Sequence, residues 1–247
     1  MRFATYNILA NAYVKRDRYP HSSPEALDPT LRRALLLRRI VELQADVLCL
    51  QEVEPDAFDD ILAQLPGHDG KLSRADDRPD GLAILHRRTS SCRIEELVDA
   101  SLGRGNALVA QVARFDGFSL ANMHLRWRPD DTPDAEHTGL LQLRRVLDRC
   151  DADPGAWILA GDFNANSQSR VIAEAERCGH QISCRAQRPW DTTNINGRRR
   201  KIDYLLHTPA HWKPTPGTLP ELRRSTPMPS TVEPSDHLPL TVSFARV

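Results

Sequence analysis

A carboxylate and an amide stand one residue apart in Gly161-Asp162-Phe163-Asn164, directly after the apolar run Ala156-Trp157-Ile158-Leu159-Ala160. That run is short and bounded by Pro154-Gly155, which predicts a buried strand. Gly161 lets the backbone turn sharply as the strand leaves the core. In extended geometry Asp162 and Asn164 project from the same face. The acid can take a proton or hold a metal ion, and the amide can hydrogen-bond a phosphoryl oxygen, so the pair suits a hydrolytic site. Alone, the four residues read first as an Asx-type turn capping the next helix.

The same arrangement recurs along the chain. Asn7 follows Phe3–Tyr6, Glu52 follows Val47–Leu50, and His124 ends Phe118–Met123. Asp203 lies inside Lys201-Ile202-Asp203-Tyr204-Leu205-Leu206, and Asp236-His237 precedes Leu238-Pro239-Leu240. A carboxylate within an apolar strand is costly unless paired. A histidine is the expected partner for Asp203, because Asp–His pairs fix an imidazole's tautomer and orientation. Singly, Glu52 is a solvated strand end, Asp236 a turn cap, His124 a satisfied core histidine and Asn7 a turn former. Together they predict one polar pocket where several strands leave the core.

The elements that must position these groups are legible as periodic segments. Met1–Ile8 reads as a strand, and Asp28-Pro29 as an N-cap with proline at the first helical position. The helix that follows carries Leu31, Leu35, Ile40 and Leu43 and should run to about Gln44. Asp46–Leu50 is a strand ending in Gln51-Glu52, and residues 56–65 form a helix with Phe58, Ile61, Leu62 and Leu65 on one face. Further strands are expected at Gly81–His86, around Arg93–Val98, at Ala107–Phe115 and at Phe118–Leu125, the last two joined by the hairpin signal Asp116-Gly117. Helices are expected near 136–149 and 169–178, and final strands at Ile202–His207 and Pro239–Phe244. Residues 209–234, with seven prolines, read as a long ordered loop or lid. The pattern predicts an α/β fold of mixed sheets covered by helices.

A chain of 247 residues fits one large domain or two small ones, and no boundary is marked, so a single domain over 1–247 is expected. Lys+Arg and Asp+Glu are 33 each, which excludes a general polyanion binder yet allows an acidic pocket inside a basic rim. Cys49, Cys92, Cys150, Cys178 and Cys184 are scattered and form no CxxC pair, so a reduced, cytoplasmic setting without structural zinc is expected. No segment reads as a signal peptide or a membrane span.

Thr5-Tyr6-Asn7-Ile8-Leu9, Leu48-Cys49-Leu50-Gln51-Glu52-Val53, Gly161-Asp162-Phe163-Asn164, Ile202-Asp203-Tyr204 and Ser235-Asp236-His237 resemble, in order, the motifs of the endonuclease/exonuclease/phosphatase superfamily. Tyr6–Ala10, Ala45–Val53, Asp80-Gly81, His124-Leu125 with Trp127 and Pro129, and Thr193-Asn194 resemble its deadenylase-like branch: Ccr4-type deadenylases, nocturnin, Angel proteins and 2′-phosphodiesterases. The resemblance implies a four-layer α/β sandwich of two packed mixed β-sheets flanked by helices, as in deoxyribonuclease I. The chain is shorter than the eukaryotic deadenylases and has no leucine-rich-repeat segment.

The resemblance also implies residue roles. Glu52, with Asn7 beside it, would ligate Mg²⁺ (Mn²⁺ substituting), and Asp236 would join that acidic cluster. Asp162 would orient or deprotonate the attacking water, and Asn164 would hydrogen-bond the phosphorane oxygens. Asp203 would hold His237, and His124 would sit near a phosphate oxygen or the leaving group. On the substrate side, Arg126, Arg128, Arg198, Arg199, Arg200, Lys201, Arg223 and Arg224 could form a basic rim, with Trp127 or Trp190 stacking on a base and Asn106 near the site. Short basic runs in loops are usually just solvated, and exposed tryptophans are often half-buried covers of a core. The expected activity is a Mg²⁺-dependent phosphodiesterase acting from a 3′ end on RNA or short oligonucleotides, as a monomer without a membrane or protein partner. Alternatives are a 2′,3′-cyclic phosphatase, a DNase-type endonuclease, a phosphatase on a small molecule or lipid headgroup, and a catalytically dead binding module.

Overall fold

The computed structural model describes residues 1–88, 93–101, 108–185 and 189–247. Its strands are β1 Arg2–Asn7, β2 Val47–Val53, β3 His68–Arg74, β4 Gly81–Arg87, β5 Ile94–Ser101, β6 Leu108–Phe115 and β7 Phe118–His124. They continue as β8 Trp157–Asp162, β9 Gln181–Ile182, β10 Thr193–Ile195, β11 Arg198–Arg200, β12 Asp203–His207, β13 Trp212–Pro216 and β14 Leu240–Arg246. The helices are α1 Pro29–Glu42, α2 Pro55–Gln64, α3 Thr138–Ala152 and α4 Arg170–Arg177. One six-stranded sheet has the order β13-β14-β1-β2-β4-β3, the other β5-β6-β7-β8-β12-β9, and β10–β11 is a separate hairpin.

Phe3, Val47, Cys49, Ile84 and Phe244 of the first sheet share a core with Phe115, Phe118, Ala121 and Ile158 of the second. Phe3 meets Phe118 edge-on at 5.9 Å between ring centroids. The other face of the first sheet packs Ala4, Leu48, Leu50 and Leu85 against Leu36, Ile40 and Ile61 of α1 and α2. Leu140, Leu143, Val146 and Ile172 of α3 and α4 join the core of the second sheet. The result is the expected four-layer α/β sandwich. No helix among the described residues is long and apolar enough to cross a membrane.

Asp28 caps α1 by accepting the Leu31 N–H at 2.9 Å, with Pro29 at the first helical position, as the sequence predicts. The buried stripe of α1, however, is Arg32, Leu36, Ile40 and Leu43, while Leu31 is 49 % exposed. Ile40 and Leu43 are buried as expected, and only the first half of the face is turned by one residue, because the buried Arg32 guanidinium donates to Ile8 O, Leu9 O, Asn11 Oδ1 and Pro234 O. The expected loop at 209–234 begins with a strand, β13, which pairs only with β14. Its Pro214 and Pro216 are tolerated because an edge strand needs ladder donors on one side alone. The β10–β11 hairpin turns at Asn196-Gly197, with both residues in the left-handed region, so the basic run at 198–200 is a strand and not a loop. The polar edge strand β3 carries no clean alternation and is likewise absent from the sequence reading.

Gly161 lies inside β8 and not at a turn after it. Its φ is 138°, and a Cβ built there would stand 1.9 Å from Met123 O, because β7 and β8 pair in parallel at that point. Gly161→Ala should therefore lower unfolding free energy by roughly 3 kcal/mol or more. Gly155→Ala, with nothing within 4 Å of the added carbon, should stay within about 0.5 kcal/mol of wild type. Urea denaturation of the two variants checks the contrast.

Candidate active site

Among the described residues parallel pairing occurs at two places, β1 with β2 and β7 with β8, and each pair is joined through a helical segment, α1 or α3. Parallel neighbours end on the same side, so their carboxyl ends bring side chains together there. Asn7, Glu52, His124 and Asp162 sit at those four ends. Asp203 starts β12 directly opposite Asp162 in the antiparallel register, and His237 bridges to Thr193 beside it. The topology thus assembles residues from the whole chain into one cluster.

Glu52 is aimed by the backbone. The pairing of β2 with β4 shifts register between Leu50 and Val53, and Glu52 has φ 56°. A glutamate held in the left-handed region is strained, a state that persists only where the surroundings impose it. Its Oε1 accepts Asn7 Nδ2 at 3.2 Å and its Oε2 accepts Ala10 N at 3.1 Å. The same Asn7 Nδ2 donates to Asp162 Oδ2 at 3.2 Å, so one amide links the acids of the two sheets. Asn7 Oδ1 accepts Leu9 N at 3.1 Å and keeps a second lone pair for a ligand.

Asp162 is buried, with His124 Nε2 at 3.5 Å and His237 Nε2 at 3.8 Å from its Oδ2. His237 Nδ1 lies 3.0 and 2.9 Å from the two oxygens of Asp203, and its Nε2 is 3.9 Å from Asp236 Oδ1. Thus Asp203 has the histidine partner that its burial demands. Burial pushes the Asp162 carboxyl up, and the Asp203 charge adds to this against the opposing pull of both histidines. Burial likewise raises Glu52, with Asp236 adding to it. For His237 burial acts downward, but the Asp203, Asp162 and Asp236 charges and the Asp203 hydrogen bond together hold it well above the ordinary 6.5.

Asn164 leaves the strand, with φ 49°, and its N–H donates to Asp162 Oδ1 at 2.8 Å. This is the Asx-type turn, present together with the acidic site. It does not cap α4, whose N-cap is Ser169. Asn164 Nδ2 donates to Leu125 O at 3.0 Å and lies 3.5 Å from Asp162 Oδ2.

The basic residues divide. Arg199, Arg200 and Lys201 line an open trough of about 590 Å³ with Trp127, Arg128 and Asn164. Arg126 lines a second cavity, of about 280 Å³, with His124, Asn164 and Trp127. Arg198 is exposed and lines neither, Arg199 is tied to Leu222 O at 2.8 Å, and Lys201 sits over the Trp190 ring at 5.5 Å. Trp190 is buried edge-on to Tyr204 and cannot stack on a base, whereas Trp127 is 57 % exposed. Arg223 and Arg224 are exposed. Asn106 and Cys92 lie outside the described residues.

Three supporting residues hold the site's segments together. Tyr19, from a polar stretch without periodicity, is buried and donates to Asp236 Oδ2 at 2.8 Å. Ser235 Oγ donates to Asn7 O at 2.7 Å, and Thr192 Oγ1 accepts the N–H groups of Ile202 and Asp203 at 3.2 and 3.3 Å. Ser235 was visible within its motif. Tyr19 and Thr192 carried no signal.

With strand ends, acids and imidazoles so arranged, the match to known proteins is direct: residues 4–237 match the Endonuclease/Exonuclease/phosphatase family, and the chain belongs to it. Its relatives fall in the deadenylase-like branch. The chain is 24 % identical to 2′,5′-phosphodiesterase 12 of Rattus norvegicus over 97 % of its own length and 51 % of that protein. It is 25 % identical to carbon catabolite repressor protein 4 homolog 4 of Arabidopsis thaliana, over 98 % of this chain and 77 % of that one. The chain spans about half or less of the first curated relatives it matches. Among solved structures, ANGEL2, a 2′,3′-cyclic phosphatase, in complex with adenosine-2′,3′-vanadate, superposes with a TM-score of 0.79 at 19 % identity, covering 98 % of this chain and 94 % of that one. The human nocturnin catalytic domain gives 0.73 at 23 %, covering 100 % and 94 %.

The His237–Asp203 pair makes a pH prediction. Its histidine pKa is raised on folding, so its stabilisation is complete below about 6.5 and fades as pH rises through the higher folded value. Asp203→Asn should bring the His237 titration down, as followed by NMR of the imidazole, and its stability deficit should be largest near pH 6 and shrink at higher pH.

Proposed function

We propose that this chain is a metal-dependent phosphodiesterase that cleaves RNA or short oligonucleotides from a 3′ end. The observation that carries the reading is the buried Asp162 set between two imidazoles, with Glu52 linked to it through Asn7. The donor set fits a divalent cation. Glu52, Asp162, Asp203 and Asp236 bring carboxylates together against two imidazoles, and burial resists the charge on Glu52 and Asp162. A hard cation relieves that imbalance. Asp162, Asp203 and His237 also offer atoms within 4.8 Å of one another, but the Asp203–His237 hydrogen bonds already occupy that group. We therefore assign Mg²⁺ (or Mn²⁺) to Glu52, with Asp236 and the Asn7 oxygen beside it.

Bound there, the ion supplies charge neutralisation at phosphorus. Asp162, whose proton affinity is raised, orients the attacking water and takes its proton. Imidazolium His237, held by Asp203, faces the phosphoryl oxygens, and the more exposed His124 stands at the edge of the site near the leaving oxygen. Asn164 presents an N–H to the same oxygens when it gives up its 3.5 Å contact with Asp162. Trp127, Arg128, Arg199, Arg200 and Lys201 would hold the polyanionic chain along the trough, and Arg126 would reach the second cavity. A 2′,3′-cyclic phosphatase is the second reading, favoured by the likeness to ANGEL2. A dead scaffold is disfavoured by the complete set of acids and imidazoles. We further place the protein in the cytoplasm as a monomeric single domain, a reading supported by the free thiols of Cys49, Cys150, Cys178 and Cys184.

Purified protein with Mg²⁺ should shorten end-labelled RNA from its 3′ end. Removal of only a terminal cyclic phosphate would instead establish the second reading, and silence toward both with a chromogenic diester would remove the class. Glu52→Ala and Asp162→Ala should each lower turnover by about 10²- to 10⁴-fold with the circular dichroism spectrum unchanged. Mg²⁺ should raise the thermal midpoint of the wild type and not that of Glu52→Ala. Full Mg²⁺-dependent activity in a folded Glu52→Ala would overturn the metal placement.

A further inference from the structure

The cavity of about 280 Å³ beside His124 and Asn164 is built differently from the open trough. Leu82 and Leu125 line it, and Trp127 lines both this cavity and the trough. The segment before β4 also lines it, and it is closely packed, since a Cβ on Gly81 would meet Ser73 O at 2.2 Å. At its end Asp80 is buried, yet only one of its oxygens is used. Tyr13 OH donates to Oδ1 at 2.5 Å, and Arg78 Nη2 approaches the same oxygen at 3.3 Å. Arg78 also lies over the Tyr13 ring at 5.8 Å, which braces the pair. Asp80 Oδ2 has no partner among the described residues, and Asp80 lines the cavity. Gln142, also on the wall, uses Oε1 to accept Arg126 N at 2.8 Å, which leaves its Nε2 as a donor.

A buried carboxylate with one free oxygen calls for a ligand that donates hydrogen bonds. A phosphodiester cannot do so, and each base carries its donors at a different place on its edge. Every ribose offers hydroxyl donors, and acidic residues recognise the ribose 2′-hydroxyl in this way. An exposed indole stacks on any base. The cavity is at the small end of ligand-pocket sizes, sufficient for one nucleoside and not for a run of them. We propose that it is a subsite for one ribonucleoside at the reacting end of the substrate, with Asp80 Oδ2 accepting from the ribose hydroxyls and Trp127 stacking on the base. This rests on the phosphodiesterase reading, since the cavity borders His124 and Asn164, and it gives that site a preference for RNA over DNA.

The test compares ribonucleoside and 2′-deoxyribonucleoside 5′-monophosphates by calorimetry with Mg²⁺, alongside cleavage of oligonucleotides of each sugar with one sequence. The wild type should bind and cleave the ribo form at least tenfold better. Asp80→Asn should bring that ratio close to one. Trp127→Ala, an exposed position that does not threaten folding, should weaken binding of both sugars about tenfold and leave the ratio intact. Equal binding of the two sugars by the wild type, or an unchanged ratio in Asp80→Asn, overturns the subsite. Hydrolysis of a chromogenic diester by the wild type is measured in parallel. If it proceeds without a sugar preference, only the subsite falls. If every diester survives while Asp80-dependent ribonucleotide binding persists, the phosphodiesterase reading falls and the subsite stands.

Discussion

The structure depends on a buried polar seam that locks the two sheets in register beneath the site. Gln51 Nε2 donates to Asn122 Oδ1 at 2.7 Å and to Thr5 Oγ1 at 3.1 Å. Asn122 Nδ2 in turn donates to Leu50 O at 3.0 Å and Ala83 O at 3.1 Å. All three side chains are fully buried between apolar faces. Each bond adds only about 1 kcal/mol net, but leaving a buried partner unmade costs about 1–3 kcal/mol. Slipping one sheet past the other would leave several unmade at once. Thr5, Gln51 and Asn122 stand one or two residues before Asn7, Glu52 and His124, so this penalty fixes where the reactive groups emerge.

Above the seam the balance reverses, from hydrogen-bonded dipoles, with Gln51 Oε1 alone of the three side chains' oxygens left without a partner among the described residues, to unbalanced charge. Asn7 is the hinge between the regimes, because its amide joins Glu52 of one sheet to Asp162 of the other. Tyr19 and Ser235 then hold the last acidic segment against it. Arg32, the buried guanidinium nearby, contributes nothing to neutralising the acids by contact, since its four acceptors are three carbonyls and an asparagine oxygen. It holds the 8–11 and 234 segments in place and leaves the carboxylates to the imidazoles and to a cation. A site that firm in geometry and that short of positive charge is preorganised for a ligand bringing its own cation.

What was legible in the sequence followed from how strongly each residue's position is determined by burial. Strands β1, β2, β7, β8 and β12 are mostly apolar, so the polar residue at one end of each stood out, and the structure brings Asn7, Glu52, His124, Asp162 and Asp203 together. The Asp203–His237 pair was legible for the same reason: a buried acid requires a partner. The first half of the α1 face was misjudged because Arg32 counts as polar in any periodicity, although a satisfied guanidinium can be buried. β13 was hidden by its prolines and β11 by its arginines, since both are edge or isolated strands that need no apolar alternation. Of the two readings open for Trp190, base stacking or core cover, the structure shows the core cover, a distinction that depends on tertiary packing with Tyr204.

The same physics explains why the chemistry is better determined than the substrate. Asn7, Glu52, His124, Asp162 and Asp203 come from central strands whose neighbours on both sides restrict them. Asp80, Arg78, Trp127 and the β10–β11 hairpin come from edges and connections, where a change of length or charge disturbs few buried contacts. The fold therefore holds the cluster of acids and imidazoles rigidly while leaving its two flanking cavities open to variation. Where an edge residue is nonetheless buried, braced and half-satisfied, as Asp80 is, the core does not account for its cost. A ligand that donates to its free oxygen does.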